Sequence, residues 1–181
     1  MTFRETKLAG VFEVHLDFKP DERGFFARTW CQKEFESNGL NSRLVQCSLS
    51  FNLRKGTLRG MHYQEEPNAE AKLVRCTKGA IYDVVLDLRP PSPTYRGWVA
   101  VELTCANRSM VFVPEGCAHG FLTLEDETEV FYQMSEFYKP ESARGVRWDD
   151  PAFQIAWPSA VDVISDRDRT YPDFEEAQCV Y

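Results

Sequence analysis

Short strand-like segments, separated by turn residues, run through most of the chain and limit the folds that it can adopt. Seven segments are rich in β-branched and aromatic residues or bounded by Gly and Pro, and they cover residues 12–18, 44–50, 57–64, 80–88, 98–103, 110–113 and 129–134. Helices are expected only over residues 32–39, ending at a left-handed Gly39, and near residues 172–176. A doubly wound parallel sheet needs a helix between successive strands, so the pattern predicts an all-β antiparallel sandwich or barrel.

Length and charge narrow the class of protein further. The chain has 181 residues, which predicts a single domain spanning residues 1–181. Its formal net charge is −7 at pH 7, and an acidic surface argues against binding to nucleic acid or to an anionic membrane. No apolar run approaches the length of about 18 residues that a membrane span requires. A local basic pocket for a phosphorylated small molecule stays compatible with this charge.

The first residues and the cysteines indicate a reducing compartment. Residues 1–7 carry charge where a signal peptide would place its apolar segment, so we expect the protein in the cytoplasm. Six cysteines are widely spread without a C-x-x-C pair, and we interpret them as small apolar residues that fill gaps: Cys31, Cys47, Cys76, Cys105, Cys117 and Cys179. The rival interpretation is a nucleophilic Cys47 or Cys117.

Two of the histidines stand in motifs with characteristic spacing. His62 lies in GTLRGMHYQ (residues 56–64), and His119 lies in PEGCAHGF (residues 114–121). Together these resemble the two motifs of the cupin superfamily, which implies a jelly-roll β-barrel. Gln64 stands where the first cupin motif has its second histidine, and Glu70 is displaced from the usual position of the carboxylate. Because a carboxamide is a poor ligand for a transition metal, we expect no metal and imidazoles that are free to carry protons.

Arg59 and His62 are three residues apart on a predicted strand. An odd separation points two side chains of a regular strand to opposite faces of the sheet. A bulge or turn at Gly60 would bring both side chains to one cavity.

Five motifs carry a more specific resemblance, which extends from about residue 12 to residue 172. They are DERGFF (21–26), KGTLRGMHYQ (55–64), DVVLDLR (83–89), PEGCAHGF (114–121) and WDDP (148–151). In this order they resemble the dTDP-4-dehydrorhamnose 3,5-epimerases, the metal-free cupins of deoxysugar biosynthesis. The resemblance implies a cupin-type jelly roll with a few short helices, no cofactor, and a homodimer formed by strand exchange.

The implied reaction is epimerisation at C3 and C5 of a nucleotide-diphospho-4-keto-6-deoxyhexose, namely dTDP-4-dehydro-6-deoxy-D-glucose, through an enolate. A proton beside a ketone can be removed when the enolate oxygen is stabilised, and inversion needs a base on one face and an acid on the other. Four residues match the family's catalytic positions: His62 as the base, Asp168 as the carboxylate that orients it, Lys72 as the cation beside the C4 oxygen, and Tyr132 as the acid.

Six further residues match the family's binding positions. They are His119 near the sugar, Arg59 at the diphosphate, Arg23 reaching the diphosphate from a second copy of the chain, and Gln46, Phe26 and Tyr138 around the nucleotide. A guanidinium fork suits phosphate oxygens, which agrees with the two arginines.

Four positions near the expected nucleotide pocket depart from the family pattern: Arg28, Cys47, Ser48 and Ala143. They leave open which nucleotide carries the sugar and whether C5 is inverted together with C3. The alternatives are a C3-only epimerase, a 3,4-ketoisomerase on a related sugar nucleotide, or the same chemistry on another nucleotide carrier. A metal-dependent cupin enzyme and a non-catalytic sugar-nucleotide-binding module are the rivals from other classes.

Six of the site residues also have an interpretation in which they play only a structural role. Both histidines could be satisfied core residues, and the other readings are a core aromatic for Tyr132, a strand-edge charge for Lys72, a helix cap for Asp168 and a turn residue for Arg23. The resemblance favours the functional roles, because all the plainer ones would have to coincide at matching positions.

Overall fold

The computed structural model describes residues 1–174, which form fourteen strands and two short helices. The strands are β1 (Thr2–Glu5), β2 (Phe12–His15), β3 (Lys19–Asp21), β4 (Gly24–Phe26), β5 (Gln46–Asn52), β6 (Thr57–Gln64), β7 (Lys72–Lys78), β8 (Ala80–Asp87), β9 (Trp98–Thr104), β10 (Met110–Val113), β11 (Cys117–Thr123), β12 (Thr128–Met134), β13 (Ala143–Gly145) and β14 (Val163–Ile164). The helices are α1 (Gln32–Ser37) and α2 (Asp166–Arg169). Neither helix has the length and apolarity that crossing a membrane would require.

The strands form two large sheets and one small hairpin. The first sheet has the order β1-β2-β10-β7-β12-β5, and the second has the order β13-β6-β11-β8-β9 with β14 added beside β6. Only the β14–β6 pairing is parallel among the described strands. The hairpin β3–β4 stands apart from both sheets. This all-β sandwich confirms the predicted jelly-roll class, whereas the single-domain span of residues 1–181 stays a prediction.

The core lies between the two sheets. Val74 and Val130 of the first sheet belong to the same buried cluster as Ile81, Leu103 and Phe121 of the second. Successive side chains of a strand point to opposite faces, so alternate residues of each strand fill this layer. The facing sheets therefore hold the walls of any cavity between them in a fixed position.

Helix α1 covers the outer face of the first sheet. Phe35 is buried and packs edge-to-face against Phe3 and Phe112, with ring centroids 5.1 and 6.0 Å apart. Gly39 has φ = +71°, so the chain leaves the helix through the left-handed region, as predicted.

The strand predictions were largely confirmed, and one helix prediction was wrong over the residues that the structure describes. The missed strands include β7 and β11, which carry Lys72 and His119. Within the predicted helix near residues 172–176, residues 172–174 are irregular, while residues 175 and 176 lie outside the described part. The second helix is instead α2, because the Ser165 hydroxyl caps it by accepting from Asp168 N at 3.1 Å.

The cysteines divide into two groups. Cys76 and Cys117 are buried, as expected for residues that fill gaps in a core. The expectation was wrong for Cys47 and Cys105, which are exposed, and Cys31 is partly exposed. Cys47 lies on the outward face of β5, where alternate residues meet solvent. Cys179 lies outside the described residues.

Candidate active site

A cavity of about 840 Å³ opens between the two sheets. Strands from both sheets and the segment containing β14 and α2 contribute to its walls. It is lined by eight of the ten predicted site residues: Gln46, Arg59, His62, Lys72, His119, Tyr132, Tyr138 and Asp168. The two that do not line it are Arg23 and Phe26.

A bulge in β6 brings Arg59 and His62 to this cavity. On the neighbouring β11, His119 pairs with His62 and Phe121 pairs with Arg59, so two residues of β6 stand opposite one of β11. Gly60 lies at this point with φ = +139°, and a Cβ there would come within 2.5 Å of the Gly120 Cα. The predicted irregularity at Gly60 is therefore confirmed, and the close approach of the two backbones requires a glycine.

His62 and Asp168 form a hydrogen-bonded pair. The imidazole Nε2 lies 2.7 Å from the Asp168 carboxylate, and the second carboxylate oxygen accepts from Gly60 N at 3.3 Å. Burial opposes ionisation of this aspartate, but the hydrogen bond and charge of His62 and the Gly60 N–H outweigh it, so the pKa of the Asp168 carboxyl lies below its usual value. The carboxylate stays charged at neutral pH and holds the imidazole in place.

Lys72 lies inside the cavity and not at a solvated strand edge. Its ammonium is 3.0 Å from the Glu70 carboxylate, and the two side chains are 11% and 9% exposed. Lys72 Nζ also donates to the His62 carbonyl at 3.4 Å. Glu70 was considered in the sequence only as a displaced metal ligand, so its partnership with Lys72 was missed.

Tyr132 reaches the cavity from β12, in the sheet opposite to His62. Its ring packs against the core cluster and edge-to-face with His119, at 6.1 Å between centroids. Burial and the nearby Asp83 raise the pKa of the Tyr132 phenol, and Arg59 and a hydrogen bond with Ser50 oppose that rise. The phenol is therefore protonated at neutral pH and can donate.

His119 forms a second histidine–aspartate pair, which is deeply buried. Its Nε2 lies 2.8 Å from Asp83 Oδ2, and the two side chains are 4% and 0% exposed. The pair joins the neighbouring strands β11 and β8. Asp83 lies in one of the sequence motifs, but only the strand pairing reveals it as the partner of His119.

Arg59 is held from behind by Asn52. Arg59 Nε donates to Asn52 Oδ1 at 2.8 Å, and the amide is 2% exposed. The strand alternation of β5 could have indicated this residue, because Gln46, Ser48 and Ser50 on the same face line the cavity.

The side-chain amides of Gln46 and Gln64 form hydrogen bonds in different parts of the structure. Gln46 Oε1 accepts from Tyr138 N at 3.2 Å at the cavity wall. Gln64 donates to the carbonyls of Asn68 and Phe137 and accepts from Lys139 N, so its amide ties two loops together. In residues 1–174, His, Cys, Asp and Glu side chains form no group of three or more that could hold a metal ion.

The hairpin β3–β4 carries the two predicted residues that lie away from the cavity. Arg23 pairs with Asp21 at 2.6 Å, and Phe26 is 71% exposed. The prediction that Phe26 lines the nucleotide pocket is therefore not met within one chain, because the hairpin stands apart from both sheets.

Of the four residues that depart from the family pattern, some line the cavity and others lie away from it. Ser48 and Ala143 line the cavity. Cys47 is exposed on the outer face of β5, and Arg28 pairs with Glu34 at 2.8 Å. Two of the four residues that depart from the family pattern therefore contribute to the cavity wall.

Comparisons with known proteins agree with this geometry. A family model described as dTDP-4-dehydrorhamnose 3,5-epimerase matches residues 5–176. The chain is 44% identical over 177 residues to the dTDP-4-dehydrorhamnose 3,5-epimerase of Methanothermobacter thermautotrophicus, with 96% of this chain and 95% of that relative covered.

Two solved structures are similar over most of their length. The dTDP-4-dehydrorhamnose 3,5-epimerase of Bacillus anthracis with TDP and PPi bound has a TM-score of 0.91 and 37% identity, covering 96% of this chain and 99% of that one. The dTDP-6-deoxy-D-glucose-3,5-epimerase of Legionella pneumophila in complex with dTDP-4-keto-L-rhamnose has a TM-score of 0.86 and 34% identity, covering 92% and 89%. The chain is thus an isomerase, and it belongs to the dTDP-4-dehydrorhamnose 3,5-epimerase family.

Proposed function

We propose that His62, Asp168, Lys72 and Tyr132 invert C3 and C5 of dTDP-4-dehydro-6-deoxy-D-glucose in this cavity. The observation that carries the proposal is the placement of a base and an acid on opposing sheets. His62 lies on β6 of the second sheet, and Tyr132 lies on β12 of the first. A sugar ring between the sheets meets the base on one face and the acid on the other, which is what inversion of a carbon requires.

The first step is removal of a proton beside the C4 ketone by His62. The Asp168 carboxylate accepts a hydrogen bond from Nε2, so the imidazole carries its proton on that nitrogen and keeps the Nδ1 lone pair for the substrate. The carboxylate also stabilises the imidazolium that forms. Asp168 thus sets the tautomer that makes His62 a base.

The enolate oxygen at C4 needs a positive partner, and Lys72 supplies it. Its ammonium is nearly nine-tenths buried in the cavity wall, where a charge acts more strongly than in water. The Glu70 carboxylate at 3.0 Å fixes the ammonium in position. Neither a redox cofactor nor a covalent intermediate is needed for this step.

Tyr132 completes the inversion by donating its phenolic proton to the carbon from the opposite face. The same base, acid and enolate serve C3 and C5, because both carbons flank the ketone. Arg59 and Gln46 line the cavity on the side that we assign to the diphosphate and the nucleotide, and His119 lies beside Tyr132 near the sugar.

We also propose a homodimer in which Arg23 of one copy completes the diphosphate site of the other. The hairpin that carries Arg23 exposes Phe25 and Phe26, and the outer face of β5 exposes Leu49 and Phe51. Exposed apolar patches of this kind mark interaction surfaces. We place the protein in the cytoplasm, where the unpaired thiols among its described cysteines would stay reduced.

A mixing experiment tests the shared site. Arg23→Ala and His62→Ala are prepared separately, each with low activity, and then mixed under conditions that exchange subunits. The mixed dimer has one site with both His62 and the arginine of the other copy, so activity should return. Light scattering that finds a stable, active monomer would contradict the dimer.

The function is tested by NMR of dTDP-4-dehydro-6-deoxy-D-glucose incubated with the protein in D2O. Deuterium at both C3 and C5, with inverted product, is the expected result. Deuterium at C3 alone would make the protein a C3-only epimerase. No exchange at all would contradict the choice of substrate and direct the assay to other nucleotide carriers.

A further inference from the structure

Arg59 is held in the cavity wall by an uncharged side chain. Its Nε donates to Asn52 Oδ1 at 2.8 Å, and within residues 1–174 it makes no ion pair with a carboxylate. Six other arginines each pair with a carboxylate: Arg23, Arg28, Arg43, Arg89, Arg144 and Arg147. A carboxylate offsets the positive charge that a bound anion would meet, whereas an amide leaves that charge available.

The orientation of the Asn52 amide is fixed by neighbours on both of its sides. A guanidinium only donates, so the Asn52 atom that faces Arg59 is the carbonyl Oδ1. Nδ2 faces the other way, where it donates to the Thr128 carbonyl on β12 at 3.1 Å and to Ser50 Oγ at 3.4 Å. Asn52 is 2% exposed and does not line the cavity, so it can influence a ligand only through the residues that it bonds.

The bond to Asn52 decides which part of the Arg59 guanidinium a ligand can use. An arginine can bind two phosphate oxygens either through Nε and one Nη group or through both Nη groups. Because Asn52 occupies Nε, the two Nη groups remain, and no described residue accepts a hydrogen bond from them. Arg59 lines the cavity, so this pair of donors is open to an anion there.

We propose that Asn52 is a positioning residue for the diphosphate: by binding Nε of Arg59, it presents both Nη groups to the phosphate oxygens and leaves the charge of the guanidinium available to them. The inference rests on the proposed function, in which Arg59 binds the diphosphate. Asn52 lies outside the five sequence motifs, and the mechanism above does not use it. An arginine that is already held in place loses less conformational freedom when the ligand binds.

Titrations of Asn52→Leu with dTDP and with thymidine test the inference. Leucine is similar in size to asparagine and has no acceptor for the Arg59 Nε. Because a hydrogen bond to a charged group is lost, the Kd of dTDP should rise about 10-fold. Thymidine carries no phosphate, so its Kd should change by less than about twofold. Calorimetry measures the binding of dTDP, and NMR measures that of thymidine.

A double-mutant cycle with Arg59→Ala separates positioning from general damage to the cavity. Arg59→Ala should weaken dTDP binding more than Asn52→Leu does, because it removes the charge itself. When Asn52→Leu is added to Arg59→Ala, the Kd of dTDP should change by less than about twofold further, since no guanidinium is left to position.

Asn52→Asp tests the uncharged character of the support, and its shape is close to that of the wild-type residue. It keeps an acceptor for the Arg59 Nε but adds a negative charge, so dTDP should bind more weakly while thymidine binding is unchanged. Arg54→Ala is the control for loss of one positive charge. Arg54 does not line the cavity, so this variant should bind dTDP as the wild type does. Melting temperatures show which variants are folded, and Asn52→Asp takes the place of Asn52→Leu in the cycle if the leucine variant is not.

The outcomes separate this inference from the proposed function. Arg59→Ala that binds dTDP as tightly as the wild type contradicts the diphosphate role of Arg59 and the inference together. If Arg59→Ala weakens dTDP binding while Asn52→Leu and Asn52→Asp do not, the inference alone is overturned. An equal loss from Asn52→Leu with and without Arg59, or an equal loss for thymidine, would also overturn it, because such a loss does not act through the guanidinium.

Discussion

His62 and His119 each bond an aspartate through Nε2, at 2.7 Å to Asp168 and at 2.8 Å to Asp83, and both imidazoles line the same cavity. They differ in exposure. The His62 side chain is 38% exposed, whereas that of His119 is 4% exposed. A base must reach the substrate and afterwards release its proton to water, which suits the exposed pair. The buried pair joins strands β11 and β8 and suits a residue that shapes the pocket.

The supporting elements differ in the same way. Asp83 lies in β8, in the middle of a sheet, and pairs across to β11. Asp168 lies in the short helix α2, and Ser165 and Gly60 hold it in place. Two histidine–aspartate hydrogen bonds of similar length can therefore have different roles. The surroundings of each pair decide whether it serves the chemistry or the packing.

The largest effect that separates the two pairs is expected from His62→Ala. Removal of the base should lower both deuterium exchange and inversion about 1,000-fold, while the nucleotide still binds. His119→Ala should act on stability, because it leaves Asp83 buried and unpaired, at a cost of about 3 kcal/mol in the free energy of unfolding. Turnover, titration with dTDP and denaturant unfolding measure the three quantities.

His15→Ala is the control for this comparison, because His15 does not line the cavity and bonds Ser109. It should keep wild-type turnover. Near-normal activity of His62→Ala would remove His62 from the mechanism.

Asp168→Asn comes next in size. The introduced amide can donate to Nε2, which moves the imidazole proton to Nδ1, the nitrogen that must accept from the substrate. We expect kcat to fall about 100-fold with little change in KM. Steady-state kinetics measure the loss, and a variant with more than half of the wild-type kcat would contradict the role of Asp168 in setting the tautomer.

A smaller effect is expected in the pH dependence of stability. The pKa of Asp168 is lowered in the folded protein, so its contribution is fully present above the ordinary value of 3.8 and is lost as the pH falls through the lower folded value. Wild-type protein should therefore lose more stability than Asp168→Asn below about pH 4. Urea unfolding at several pH values measures the difference, and parallel curves for the two proteins would contradict a lowered pKa.

The smallest effect on turnover is expected from Cys117→Ser. Cys117 is buried in β11, the strand that also carries the buried His119. Cys117 lies two residues before His119, and burial raises the pKa of its thiol to about 12, so it is protonated at neutral pH. Turnover should stay within about threefold of the wild-type rate, because a protonated thiol is a poor nucleophile. A loss near 1,000-fold would make Cys117 a nucleophile and overturn the enolate mechanism.

The sequence predicted the parts of the fold that depend on local pattern. Strand β6 was predicted over its whole length, and the Gly60 bulge followed from the spacing of Arg59 and His62. Strand β11 was missed, because CAHGFLT mixes small and polar residues in place of a β-branched run.

The residues that bond the predicted site residues could be identified only from the three-dimensional structure. Glu70 and Asp83 bond residues that were predicted, but each meets its partner only through the packing of strands or the bend of a loop. Asn52 supports Arg59 in the same way, seven residues apart across a turn. The roles that we propose for Arg23 and Phe26 need a second copy of the chain, because their hairpin lies away from the cavity.

The central claim is that a base and an acid face the substrate from opposite sheets, and Tyr132→Phe tests it most directly. The variant is incubated with dTDP-4-dehydro-6-deoxy-D-glucose in D2O, and NMR follows deuterium and configuration at C3. The account predicts deuterium entry with retained configuration, because His62 still removes the proton while no acid stands on the other face. Inverted product formed at a rate near that of the wild type would contradict it.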